Sequence, residues 1–168
     1  MTAGFLPYTV DSMRIALLTV GQAKDAALRQ AADGYVKRLS RYTPFSEQHV
    51  LEEKAPKKRP VAKILEPEGE RLIRAIPDHA YVVALDVGGQ SVDSEGLSRK
   101  IEEVAARSVS TLVFTIGGPF GLSDAILKRA DWRFSLSRMT YPHEMARLIL
   151  LEQLYRAFTI MRGEKYHK

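Results

Sequence analysis

Strand-sized apolar runs alternate along this chain with segments whose apolar residues recur at helical spacing, and this alternation limits the fold more than any other feature. Arg14–Val20 is such a run, closed by Gly21. Lys24–Arg41 carries Ala27, Leu28, Ala31, Ala32, Tyr35 and Leu39 near the helical period. Phe45–Leu51 is a second strand, and the Pro-punctuated Glu52–Pro60 is a loop. A helix is expected from about Pro67 to Ile76. Tyr81–Asp86 is a strand that should stop at Val87-Gly88-Gly89, followed by a helix over Ser94–Ser108 with Asp93 or Ser94 as its cap. Thr111–Ile116 is a strand, Ser123 caps a short helix Asp124–Ala130, Trp132–Leu136 is the last strand, and Pro142–Met161 is a long last helix opened by proline. Strands separated by helices imply an α/β fold, a mainly parallel sheet flanked by helices on both faces.

Length suits a single domain, residues 13–168, large enough to bury a core. Met1–Ser12 has neither a basic segment nor a long apolar one, and is expected to be a leader without a role. No apolar run reaches the length of a membrane span. The absence of cysteine excludes disulfides, thiolate metal sites and cysteine nucleophiles, and fits a reducing cytoplasm. The net charge of +5 is unevenly placed. Lys54, Lys57, Lys58, Arg59 and Lys63 fall in a stretch without an acid, and Arg162, Lys165 and Lys168 gather at the C-terminus. Such clusters are either a solvated loop or a surface for a polyanion.

The junction Ile116-Gly117-Gly118-Pro119-Phe120-Gly121-Leu122 follows a strand directly, where open α/β sheets bind ligands. It lacks the Gly-Lys-Ser/Thr of a phosphate loop and does not match the Gly-x-Gly-x-x-Gly fingerprint, which argues against a nucleotide hydrolase. It reads as a cofactor loop of another kind, or as a tight connection that needs glycine for geometry. Ser135–His143 joins a strand to a helix with small polar and apolar residues suited to holding an adenine. His143-Glu144 begins a zincin-like motif, but Arg147 stands where the second histidine would be, so no metal is expected. His143 and Arg147 share a helix face, as do Glu152 and Arg156, whose plainest reading is a surface ion pair. The helix is apolar almost all round over Leu148–Leu151, which calls for burial in the core or against a second subunit. The tail Gly163–Lys168 sets Tyr166 and His167 beside cations, a composition suited to unpaired bases and phosphates.

Taken together these segments resemble the RlmH family of the SPOUT methyltransferase superfamily. The resemblance rests on Ile116-Gly117-Gly118-Pro119-x-Gly121-Leu122, on Ser135-Leu136-Ser137-x-Met139-Thr140-x-Pro142-His143, on Glu152-Gln153-x-Tyr155-Arg156-Ala157 and on Arg162-Gly163-Glu164-x-Tyr166-His167-Lys168. It extends from Met13 to Lys168 and leaves Met1–Ser12 without a counterpart. It implies a homodimer with a C-terminal deep trefoil knot, a device nearly absent from ordinary folds. It also implies S-adenosylmethionine as cofactor and, as substrate, N3 of a pseudouridine in large-subunit ribosomal RNA (23S) of the assembled ribosome. On matching positions it assigns Leu85, Gly117, Gly118, Leu136, Ser137, Arg138, Met139, Thr140 and Tyr141 to the cofactor. His143, Arg156 and His167 are the candidates for catalysis, and Arg147, Tyr166 and Lys168 for substrate binding. The competing expectation is a non-catalytic ribosome- or RNA-binding protein that uses only the basic segments.

Overall fold

The computed structural model describes residues 10–168. The expected leader therefore lies outside the described residues up to position 9; its last three residues, Val10–Ser12, form a 3-10 turn, and Asp11 accepts a 2.5 Å hydrogen bond from Arg162. Five strands, β1 (Arg14–Val20), β2 (Phe45–Val50), β3 (Tyr81–Ser91), β4 (Thr111–Ile116) and β5 (Trp132–Ser135), form one sheet in the order β2-β1-β4-β3-β5. Every pairing is parallel. The helices are α1 (Ala26–Leu39), α2 (Ala62–Ala75), α3 (Ser94–Ala106), α4 (Asp124–Arg129) and α5 (His143–Met161).

Because successive strand residues point to opposite faces, the sheet feeds two cores. Ile15, Leu17, Leu112, Phe114 and Val83 pack with α1, α3 and α5 on one side. Ala16, Leu18, Val113, Val82 and Ala84 pack with Leu72 of α2 and Ile126 of α4 on the other. Burial of both faces explains why the central strands read as continuous apolar runs. Asp25, Asp93 and Ser123 cap α1, α3 and α4 by accepting from the backbone three residues on.

Two elements depart from expectation. Helix α2 starts at Ala62 rather than near Pro67, and the proline sits inside it. Proline cannot donate to the carbonyl four residues back. That carbonyl, Lys63 O, instead accepts a 2.7 Å hydrogen bond from Arg59 Nη2. Strand β3 does not stop at the glycines but runs to Ser91, with an irregularity between Leu85 and Gln90 in its pairing to β5. A Cβ at Gly89 would lie 2.7 Å from the Arg133 carbonyl, so glycine there lets two backbones approach and keeps the strands paired.

Candidate active site

The carboxyl ends of β3, β4 and β5 converge on a cavity of about 550 Å³. Leu85, Asp86 and Val87 contribute from β3, and Ile116 to Pro119 with Gly121 and Leu122 from the end of β4 and the turn after it. Phe134 to Ser137 and Met139 to His143 close the side formed by the β5–α5 connection, with Ala146 of α5 behind them. Each wall has a local cause. Gly118-Pro119-Phe120-Gly121 is a β-turn closed by a 3.0 Å bond from Gly121 N to Gly118 O, with Gly121 at φ +86. A Cβ on Gly117 would stand 2.2 Å from the Gly121 carbonyl, so the turn folds back on itself only with glycine there. In the β5–α5 connection, Ser135 Oγ donates to Ser137 O at 2.9 Å, and Ser137 Oγ accepts from Met139 N at 3.0 Å. The loop is therefore shaped before any ligand arrives.

Of the residues assigned to the cofactor, Leu85, Gly117, Gly118, Leu136, Ser137, Met139, Thr140 and Tyr141 line this cavity. Arg138 does not; its side chain is exposed outside it. His143 lines it as well, although its expected role lay with catalysis. Its Nε2 is buried without a hydrogen-bond partner among the described residues, a condition that a bound polar ligand would relieve. The lining is largely apolar, as suits the faces of an adenine and a thioether chain, with backbone groups between for its polar edges. The residues present fit S-adenosylmethionine.

A second cluster lies further along α5. Arg156 donates to Glu152 Oε1 at 3.0 and 2.5 Å, and the Tyr166 hydroxyl donates to the same oxygen at 3.0 Å. The guanidinium lies 4.7 Å from the Tyr166 ring centroid and 3.3 Å from His167 Nδ1. The tail is thus docked rather than frayed, and Glu152–Arg156 is a partly buried hub rather than a plain surface pair. Burial, with hydrogen bonds to Tyr35 and Glu152, pushes the Tyr166 phenol well above its ordinary value, so it stays protonated and serves as donor, not base. Lys168 is exposed at the end of the chain.

Arg147 belongs to neither cluster. It is 6% exposed, and its Nε and Nη2 donate to Glu47 at 2.6 and 2.7 Å, with Asp33 a further acceptor at 3.2 Å. Instead of facing a substrate it ties α5 to β2 and α1. Glu144, which the sequence offers only as part of a zincin-like motif, accepts from the backbone amides of Lys24 and Asp25 and fixes the start of α1 against the start of α5. Among the described residues no group of three or more His, Asp or Glu is gathered as a metal site.

A sheet whose β3, β4 and β5 ends enclose one preshaped cavity is a ligand-binding α/β domain, and sequence comparison defines its class. The chain belongs to the SPOUT methyltransferase family, whose model, described as predicted SPOUT methyltransferase, matches residues 13–167. A probable methylase family protein from Haemophilus influenzae Rd KW20 has the same fold, with a TM-score of 0.50 at 15% identity over 94% of this chain and 69% of that one. Within the family its place is with RlmH. The chain is 43% identical over 159 residues to "Ribosomal RNA large subunit methyltransferase H" of Clostridium acetobutylicum, which covers 93% of this chain and 100% of that protein. The protein of the same name from Enterococcus faecalis is 44% identical over the same coverage.

Proposed function

We propose that this chain is an S-adenosylmethionine-dependent methyltransferase that acts on N3 of a pseudouridine in 23S ribosomal RNA of the assembled ribosome, as a cytoplasmic homodimer. The observation that carries the reading is the convergence of the Gly117–Gly121 turn, the Leu85 end of β3 and the Leu136–Tyr141 loop on one cavity. A module that only held RNA by basic segments would have no use for it. Family membership implies the trefoil knot, which would be tied among these same segments.

Bound in the cavity, S-adenosylmethionine would supply a methyl group activated on a sulfonium. The protein's share is alignment and proton management. Leu85, Gly117, Gly118, Leu136, Ser137, Met139, Thr140 and Tyr141 would hold the donor so that the reacting atoms come within about 3–3.5 Å in line. The attacking nitrogen must also lose its proton. An imidazole can accept that proton near neutral pH, whereas a guanidinium can only stabilise the resulting anion. His143 and His167 are the proton acceptors to test, and Arg156 the anion stabiliser. Tyr166, held protonated, donates a hydrogen bond or stacks on the base, and Lys168 meets phosphate.

Distance supports the homodimer. His143 and Arg156 are thirteen residues apart on α5, roughly 20 Å along its axis. The tail cluster of one chain is therefore remote from that chain's own cavity, and a second copy is the simplest way to bring tail and cavity together. Half-buried Met145, Leu148 and Ile149 on α5 offer apolar surface for that contact. The test is methylation of ribosomes from a strain lacking the corresponding enzyme, with the modified position read by mass spectrometry. One new methyl group on a 23S pseudouridine is expected; methylation of another RNA, or none, would overturn the substrate.

A further inference from the structure

Beside the cavity lies a smaller hollow of about 350 Å³ between the Glu52–Pro60 loop and the turn after β4. Pro119 lines both, so the two hollows share a wall. On the outer side of that wall Phe120 is 45% exposed, a large aromatic ring facing solvent. Lys24 and Lys54 line the hollow, and exposed Lys57 and Lys58 stand on the same loop. None of these four lysines is held in a side-chain ion pair among the described residues.

The acids of this region are mostly spent internally. Glu53 binds Arg71 and, at 3.0 Å, Arg59, and its carboxyl is held below the usual carboxylate range by those two guanidinium groups. Glu68 is buried and accepts from the Glu53 amide at 2.9 Å; burial pushes its carboxyl up. Arg59 also holds the Lys54 and Lys63 carbonyls. The loop is thus pinned from below while its lysines project outward; Glu52 lines the hollow together with Glu53 and Glu68, whose carboxylates are engaged by Arg59, Arg71 and the Glu53 amide. A cationic rim, an exposed ring and a carboxylate acceptor suit an unpaired nucleotide.

We propose that this hollow is an RNA subsite for the nucleotide next to the one being methylated, with Phe120 stacking on its base and Lys24, Lys54, Lys57 and Lys58 on the flanking phosphates. Glu52 faces the amino edge of that base. The role as substrate neighbour rests on the function proposed above, but the contact with single-stranded RNA does not. Two arms separate them. In the first, Phe120→Ala and the double variant Lys54→Glu/Lys57→Glu are assayed on unmethylated ribosomes. Each should raise KM roughly ten-fold while leaving affinity for S-adenosylmethionine unchanged. Arg107→Glu, beyond α3 at the opposite end of the sheet, should change neither. In the second, a fluorescently labelled single-stranded decaribonucleotide is titrated at several salt concentrations and cross-linked by ultraviolet light. The wild type should give a cross-linked peptide containing Phe120, and the double lysine variant should lower the slope of log Kd against log salt by about 1.5. If the wild type fails to methylate ribosomes yet the second arm holds, the function above is lost and the RNA subsite stands. A cross-link elsewhere with an unchanged salt slope, or an unchanged KM in both variants of an active enzyme, would overturn the subsite.

Discussion

Glu152 is the residue on which the tail's conformation turns, because one of its carboxylate oxygens holds both Arg156 and the Tyr166 hydroxyl. Burial and these bonds keep Tyr166 protonated, so under the proposed function it donates and the imidazoles are the proton acceptors to test. Replacing Tyr166 and His167 together by alanine is accordingly expected to reduce kcat by at least 100-fold, the scale of lost acid–base catalysis, while the affinity for S-adenosylmethionine is unchanged. Steady-state kinetics beside a binding titration measure both quantities, and unchanged turnover would remove the tail from catalysis. The cavity residues are legible in the sequence because they sit in continuous stretches whose glycines and prolines demand particular turns. Arg147 was not, since its acceptors Glu47 and Asp33 lie 100 and 114 residues away in the chain. Spacing along a helix placed it on a face with His143, but only the packing of α5 on β2 and α1 decides what that face meets.

Among the elements, α5 depends on this pair of buried Arg147 and partly buried Glu47. Arg147→Met would leave the Glu47 carboxylate partly buried without its partner and is expected to cost about 1–3 kcal/mol of stability by denaturant unfolding. Adding Glu47→Leu should restore most of the loss; if the double variant is no better than the single one, the pair is not the tie. The Glu52–Pro60 loop offers a pH test. The folded value of Glu53 lies below its ordinary 4.5, so the contribution of its ion pairs is present above that value and is lost as pH falls through the folded one. Proteolysis within this loop should accelerate below about pH 4.5 in the wild type, whereas Glu53→Gln should already be labile at neutral pH. Equal protection of both proteins at neutral pH would contradict the role given to Glu53. Element order and type followed from periodicity, but the two misplaced boundaries have one cause. Pro67 and Gly88-Gly89 act locally as breaks, and each is overridden by a partner outside its own element: the Arg59 guanidinium of the preceding loop, which takes over the carbonyl Pro67 leaves unserved, and the β5 backbone, which Gly89 allows to come close.

At the scale of the whole molecule, the separation of cavity and tail would make the partner subunit part of the reaction in the proposed homodimer. Gly117→Ala damages the cavity, and Tyr166→Ala/His167→Ala damages the tail. Co-expressed under two affinity tags, these inactive variants should form mixed dimers with one intact cavity–tail pair, giving about a quarter of wild-type activity across the population. No activity in the purified mixed dimer would mean that each chain works alone. Among the described residues no helix is long and apolar enough to cross a membrane. Whether three strand ends build a cradle for a methyl donor is decided by calorimetric titration of S-adenosylmethionine. Saturable, stoichiometric binding is expected for the wild type and none for a folded Gly117→Ala variant, whose added Cβ would meet the Gly121 carbonyl at 2.2 Å. Absence of binding to the wild type, or undiminished binding to the variant, would contradict it.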